Sequence, residues 1–173
     1  MEFEPATPDD LAIVATQLGR PPTKVAGIAA RCPAGHPSVV LNHPLHRRSG
    51  RLVPFPTLFW LTCPQLSRAV SRLEMAGRIV ELERRLAEDD DLAQALHRDH
   101  RSYVEERWQL LSAEDQQEVR ESGLLETFEE RGIGGMANWR SVKCLHLHLA
   151  HHLARRNVLG ALLAEEHGLK PCE

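Results

Sequence analysis

A long charged segment, residues 78–131, limits the fold of this chain more than any other feature. It is almost free of glycine and proline, the two residues least compatible with a helix interior. Acidic and basic side chains are interleaved along it, as in ELERRLAEDDD, a pattern typical of a solvated helix face. The motif SAED at 112–115 resembles a capping box. We therefore predict helices throughout this segment, with a break at that motif.

The part of the chain that precedes this segment predicts a small sheet. Three short runs, KVAGIAARC, SVVLN and TLFWLTC, are rich in small, β-branched or other apolar residues and indicate strands. PAGHP predicts a turn between the first two runs, and PLHRRSGRLVPFP at 44–56 predicts a loop. Thr7 followed by Pro8 marks the start of an N-terminal helix.

Together these patterns predict one α+β domain over residues 1–173, dominated by helices. A small sheet of about three strands is packed by several helices. The strand-rich part covers about 24–63, and the helical part about 64–168. Residues 169–173 are expected to be a frayed tail, so Cys172 is left out of any site.

Composition excludes several classes of function. The net charge of −3 gives no electrostatic argument for nucleic-acid binding, which usually requires a basic domain or stripe. No apolar run approaches the length of a membrane span, and the acidic start MEFEPATPDD is unlike a signal peptide. We therefore expect a cytoplasmic protein that binds neither membrane nor nucleic acid. In that compartment its cysteines are more often free, metal-bound or catalytic than paired in disulfides.

The segment SVKCLHLHLAHHLARR at 141–156 holds four of the ten histidines. If it is helical throughout, Cys144 and His148 lie one turn apart on its polar face, a spacing that lets both reach one ion. His146 falls on the apolar side, and it becomes a candidate ligand if the helix begins only after Cys144. The simpler interpretation is an amphipathic helix whose histidines are solvated.

The remaining candidate ligands lie at the ends of two predicted strands. Cys32 and Cys63 each come immediately before a proline, and they emerge at one sheet edge if those strands are neighbours. With Cys144 and one histidine they form a Cys3His site that ties the sheet edge to the C-terminal helix. Zinc is the metal that such a set favours, and three cysteines also suit an iron–sulfur cluster. The alternative is that these cysteines are ordinary buried residues.

Two interpretations need no metal. Cys63 begins the helix PQLSRAV, whose positive end favours a thiolate, so Cys63 is the candidate nucleophile of a thiol-dependent enzyme. A histidine from 146–152 is its candidate base. In the other interpretation the protein is an interaction module, and the charged helices of residues 78–131 bind a protein partner.

Three segments together resemble a bacterial family catalogued as domain of unknown function 501. They are QLGRPPTKVAGIAARCPAGHPSVV, FPTLFWLTCPQLSRAVSRLEMAG and GGMANWRSVKCLHLHLAHHLA, and they span most of the chain outside its charged middle. The resemblance implies a single cytosolic bacterial domain without an assigned activity. It favours Cys32, Cys63 and Cys144 as one group and His146 over His148 as the fourth ligand, and we keep both histidines as candidates.

Overall fold

The computed structural model describes residues 3–172, which form helices around a small sheet. The predicted α+β class is confirmed, with 54% of residues in helices and 15% in strands. The acidic start and the predicted frayed tail lie partly outside the described residues, at residues 1–2 and 173. In chain order the elements are α1 (Pro8–Leu18), β1 (Val25–Arg31), β2 (Pro37–Asn42), β3 (Leu45–Arg48), β4 (Arg51–Pro54), β5 (Phe59–Leu61), α2 (Pro64–Met75), α3 (Arg78–Glu88), α4 (Asp90–Gln109), α5 (Ala113–Glu121), α6 (Leu125–Glu129), a 3₁₀ turn (Ile133–Gly135), α7 (Leu145–Ala154) and α8 (Val158–His167).

The central sheet is antiparallel, in the order β1-β2-β5. Every residue of β2 is buried because both of its faces are covered. On one face Val40 packs with Val14 of α1. On the other face Val39 and Leu41 join the main core with residues of α2, α4, α7 and α8. Since β1 and β5 both run opposite to β2, they end at the same end of the sheet.

A hairpin replaces the loop that we predicted over residues 44–56, so that prediction was wrong. Strands β3 and β4 pair antiparallel, from Leu45 with Pro54 to Arg48 with Arg51. Ser49 and Gly50 connect them, and both have a positive φ, of 50° and 75°. Two positive φ angles in succession suit the tight turn of a two-residue hairpin. The three prolines and three arginines of this segment had suggested a loop instead.

A capping side chain marks the starts of α1, α4, α5 and α8. Thr7 is the N-cap of α1, as the sequence predicted, and with Asp10 it forms a complete capping box. Ser112 accepts a hydrogen bond from the Asp115 backbone N–H, which confirms the break predicted at SAED. Asp89 caps α4 in the same way, accepting from Leu92 at 2.9 Å. The charged middle is therefore divided into four helices rather than two.

Helix α7 lies at the centre of the helical layer. It packs against the sheet, α2 and α8, so little of its surface meets solvent. Helix α8 approaches α7 very closely at Gly160, where a Cβ atom would lie 2.3 Å from the carbonyl oxygen of His148. Among residues 3–172, no helix is both long and apolar enough to span a membrane.

Candidate metal centre

The site is built where α7 begins. Cys144 is the residue before the first turn, with extended backbone angles, and its side chain makes no capping hydrogen bond. Glu74, near the end of α2, takes that role because its Oε1 accepts a hydrogen bond from the Leu145 backbone N–H at 2.7 Å. The late start of α7 and this cap bring a thiol and a carboxylate to the same helix end.

Three potential ligands converge there. Glu74, Cys144 and His146 each offer one ligand atom, and these atoms all lie within 4.8 Å of one another. His146 Nδ1 is 3.1 Å from Glu74 Oε1. Its Nε2 is 3.2 Å from the carbonyl oxygen of Ser67, an acceptor that fixes a proton on Nε2 and leaves Nδ1 to face the group. A thiolate, an imidazole and a carboxylate form a donor set that zinc accepts.

The protonation of His146 reflects its neighbours. The Cys144 side chain has the largest effect, and together with Glu74 it raises the pKa of His146 to about 9 against the opposing effect of burial. Without a metal, a proton on His146 therefore balances the negative charge of the group. A metal ion that binds here displaces that proton.

Two members of the group, Cys144 and His146, line a cavity of about 460 Å³. Cys144, His146, Ser67 and Lys143 contribute its polar side. The rest of the lining is mostly apolar, from Leu18, Phe59, Trp60, Leu61 and Leu147. Lys143 is exposed, and its Nζ donates to the carbonyl oxygen of Gly134 at 3.0 Å. The donor atoms are therefore next to a space large enough for a small molecule.

The other two predicted cysteine ligands lie elsewhere. Cys32 follows β1 and Cys63 precedes α2, both buried at the same end of the sheet. Within residues 3–172, Glu74, Cys144 and His146 are the only group whose ligand atoms meet the 4.8 Å condition, and it includes neither cysteine. The nearest recorded thiol to Cys63 is that of Cys172, with 3.8 Å between the two Sγ atoms. Ligation of a metal by Cys32 and Cys63 stays a prediction.

The inner side of α7 is buried. The interpretation of its histidines as solvated was therefore wrong for His148 and His151. His100 of α4 is buried as well. Burial lowers the pKa of His148 to about 4, and that of His100 and His151 to about 3. These three histidines are neutral at pH 7. His148 does not belong to the group around Cys144, and its ligation also stays a prediction.

Sequence reasoning missed Glu74. It belongs to a polar stripe of α2, made with Ser67 and Ser71, whose spacing of four and three residues places all three on one helix face. Each of the three contacts His146. The Ser67 carbonyl oxygen and the Ser71 Oγ lie 3.2 Å and 3.5 Å from its Nε2, and Glu74 Oε1 lies 3.1 Å from its Nδ1. That stripe was the available signal, although its partner depends on how α2 and α7 pack.

Comparison with known proteins gives one match. No curated protein and no solved structure matches the chain. The model of one family, described as "Protein of unknown function (DUF501)", matches residues 28–165 of the 173. That range covers the group around Cys144 and most of the fold, and it leaves out α1, the first three residues of β1 and the last two of α8. The resemblance seen in the sequence is thus confirmed, and the chain belongs to the DUF501 family.

Proposed function

We propose that the protein binds one zinc ion through Glu74, Cys144 and His146, and that a fourth coordination position opens onto the adjacent cavity. One observation carries the proposal: three donor types that suit zinc converge within 4.8 Å, and two of them, Cys144 and His146, line a cavity. Structural zinc sites usually have four protein ligands, whereas catalytic sites have three and an open position. We therefore propose a metal-assisted hydrolase rather than a structural metal protein.

The surrounding residues support this role. The carbonyl oxygen of Ser67 holds the outer nitrogen of His146, as backbone carbonyls commonly do for metal-binding histidines. The Leu145 N–H anchors one oxygen of Glu74. The apolar wall excludes water from one side of a substrate, and the Lys143 ammonium offers a positive charge to an anionic group. Bound zinc supplies Lewis-acid chemistry for hydrolysis.

Zinc content of matched variants tests the proposal. Untagged protein, purified without chelator, is analysed for metal and then titrated with zinc. We expect about one zinc per chain in the wild type, and loss of zinc in Cys144→Ser and His146→Gln with the circular dichroism spectrum unchanged. Cys63→Ser is the matched control. It also removes one thiol, in this case a buried one, and it should keep the metal. Full zinc in Cys144→Ser, or its loss in Cys63→Ser, would contradict the assignment.

A second candidate uses the same group without metal. Cys144 precedes the first turn of α7, beside His146, and it lines the cavity, which the fully buried Cys63 does not. Cys144 is therefore a better placed nucleophile than the predicted Cys63. If metal-stripped protein hydrolyses a thiol-reactive ester and iodoacetamide abolishes that activity, this candidate replaces the zinc enzyme. Activity that needs added zinc supports the first proposal instead.

The interaction-module alternative for residues 78–131 remains a proposal of a different class. Its most specific support is the exposure of two apolar side chains: Val80, at the start of α3, is 72% exposed, and Met75, at the end of α2, is 80% exposed. Chelator separates the two classes. A zinc protein loses thermal stability when the metal is removed, and a metal-free module does not respond.

A further inference from the structure

Three of the four cysteines gather at one end of the sheet, apart from the candidate metal centre. Cys32 follows β1, Cys63 precedes α2, and Cys172 lies in the segment after α8. All are free thiols, and Cys172 is half-buried rather than exposed. Leu169 and Cys172 both pack against the main core, which brings this C-terminal segment back to the sheet.

The Cys63 and Cys172 sulfurs are in van der Waals contact. Their Sγ atoms are 3.8 Å apart, although the residues are separated by 109 positions in the sequence. A disulfide requires about 2.05 Å, so the two sulfurs must approach by less than about 2 Å. Cys172 belongs to no helix or strand, so rotation of its side chain and a small shift of its backbone can supply that movement.

The environments of the two thiols differ in a way that suits exchange. Burial disfavours ionisation of Cys63, but hydrogen bonds from the backbone of Leu66 and Cys172 outweigh it and lower the pKa of this thiol. Burial, and then the neighbouring thiols of Cys32 and Cys63, raise the pKa of Cys172 to about 11. Cys63 is fully buried, whereas Cys172 remains partly accessible. A reagent in solution therefore meets Cys172 first, and Cys63 is the better thiolate behind it.

We propose that Cys63 and Cys172 form a reversible disulfide that fastens the C-terminal segment to the end of the sheet. The oxidant is a small disulfide such as glutathione disulfide. The Cys172 thiolate attacks one sulfur of the oxidant, which releases one glutathione thiolate and leaves a mixed disulfide on Cys172. The Cys63 thiolate then attacks the Cys172 sulfur and releases the second glutathione. The two glutathione thiolates take up the two protons and the two electrons that the protein loses.

The test uses the full reduced chain incubated with glutathione disulfide. Intact mass should fall by two hydrogens per chain, and peptide mapping should place the link between Cys63 and Cys172. Closing so long a loop should raise Tm, on the order of 10 °C, and dithiothreitol should reverse the rise. A link that involves Cys144, a link between Cys32 and Cys172, or no link at all would overturn the proposal.

Matched variants keep the result independent of folding and of the metal centre. Cys172→Ser lies outside every helix and strand, so it should fold normally and lose both the mass change and the Tm rise. Cys32→Ser and Cys144→Ser should keep both. If reduced wild type instead carries a zinc ion that Cys172→Ser loses, the three thiols form a metal site and the disulfide proposal fails.

Discussion

Two histidines of α7, only two residues apart, meet opposite environments. His146 is 31% exposed and lies among a thiol, a carboxylate and a backbone carbonyl, and its pKa is raised to about 9. His148 is fully buried, and burial lowers its pKa to about 4. An acidic neighbourhood therefore holds the charge on one ring, and an apolar neighbourhood removes it from the other.

This difference separates two roles within one helix. On the inner side, His151 stacks on Phe59 with 5.4 Å between ring centroids, and its edge meets Tyr103. These aromatic contacts connect α7 to β5 and α4. On the outer side, Cys144 and His146 face a cavity. A histidine-rich segment is thus partly core and partly site, and only the packing distinguishes the two parts.

The largest effect that we predict is loss of stability in acid. The folded pKa values of His100, His148 and His151 lie near 3 to 4, below the ordinary value of 6.5, so the unfolded chain binds more protons below pH 6.5. Their contribution is present above pH 6.5 and is lost as the pH falls towards 4. Each histidine adds a slope of up to about 1.4 kcal/mol per pH unit. Urea unfolding at pH 7, 6 and 5 measures the sum.

A single variant sharpens that prediction. His148→Leu removes one of the three titrating groups, so the slope of unfolding free energy against pH should fall by up to about 1.4 kcal/mol per pH unit. Gln94→Leu is a control at an exposed, non-titrating residue of α4 and should leave the slope unchanged. Equal slopes in the wild type and His148→Leu would show that His148 is protonated in the folded protein, as His146 is.

Tyr103→Phe should destabilise the protein by about 1–3 kcal/mol and leave zinc affinity unchanged. The Tyr103 hydroxyl accepts a hydrogen bond from the Leu58 N–H at 2.6 Å and donates one to the Pro56 carbonyl oxygen at 3.1 Å. The variant leaves that buried N–H without its partner. Urea unfolding measures the loss of unfolding free energy, and a zinc titration of the same sample measures the zinc affinity. A change in zinc affinity would mean that the two sides of α7 are coupled.

Glu74→Gln should have the opposite effect, weakening zinc binding with little loss of stability. Its amide oxygen can still accept from the Leu145 N–H, so we expect a stability change below about 1 kcal/mol. The loss of a charged ligand should weaken zinc binding by at least about 10-fold, measured by competition with a chromophoric chelator. Arg68→Gln, which changes a charge on the exposed side of the same helix, is the control. Wild-type affinity in Glu74→Gln would restrict Glu74 to its capping role.

The smallest effect should appear in alkaline solution with metal-free protein. Because the folded pKa of His146 is raised above 6.5, its contribution is fully present below pH 6.5 and is lost as the pH rises through about 9. Partial exposure limits it to about 1 kcal/mol. Unfolding free energies at pH 7.5 and 9.5 measure it, and His146→Gln should remove the difference. If the loss of stability between pH 7.5 and 9.5 persists in His146→Gln, it comes from another titrating group.

Local patterns predicted the elements of this fold well. The cap at Thr7, the break at Ser112 and the three central strands depend on residues close in sequence, where propensity and capping act directly. The hairpin at Ser49 was missed because prolines and arginines suggested a loop, although a serine and a glycine with positive φ angles formed the turn.

The candidate site was only partly accessible to sequence reasoning. Cys144 and His146 were found because they are close in sequence and match the family resemblance. Glu74 was missed because it is brought in by the packing of α2 on α7, about 70 residues away. The burial of His100 and His148 likewise follows from tertiary contacts, which no helical periodicity specifies. Cys172 was set aside as part of a frayed tail, and its contact with Cys63 is of the same long-range kind.

The central claim is that a zinc ion binds the group of Glu74, Cys144 and His146, and counting the sulfur ligands of that ion tests it most directly. X-ray absorption spectroscopy of the full chain loaded with one equivalent of zinc distinguishes sulfur, at about 2.3 Å, from nitrogen and oxygen, at about 2.0–2.2 Å. We predict one sulfur ligand, which Cys144→Ser removes. Three sulfur ligands would contradict this account and assign the metal to the Cys3His set of Cys32, Cys63 and Cys144.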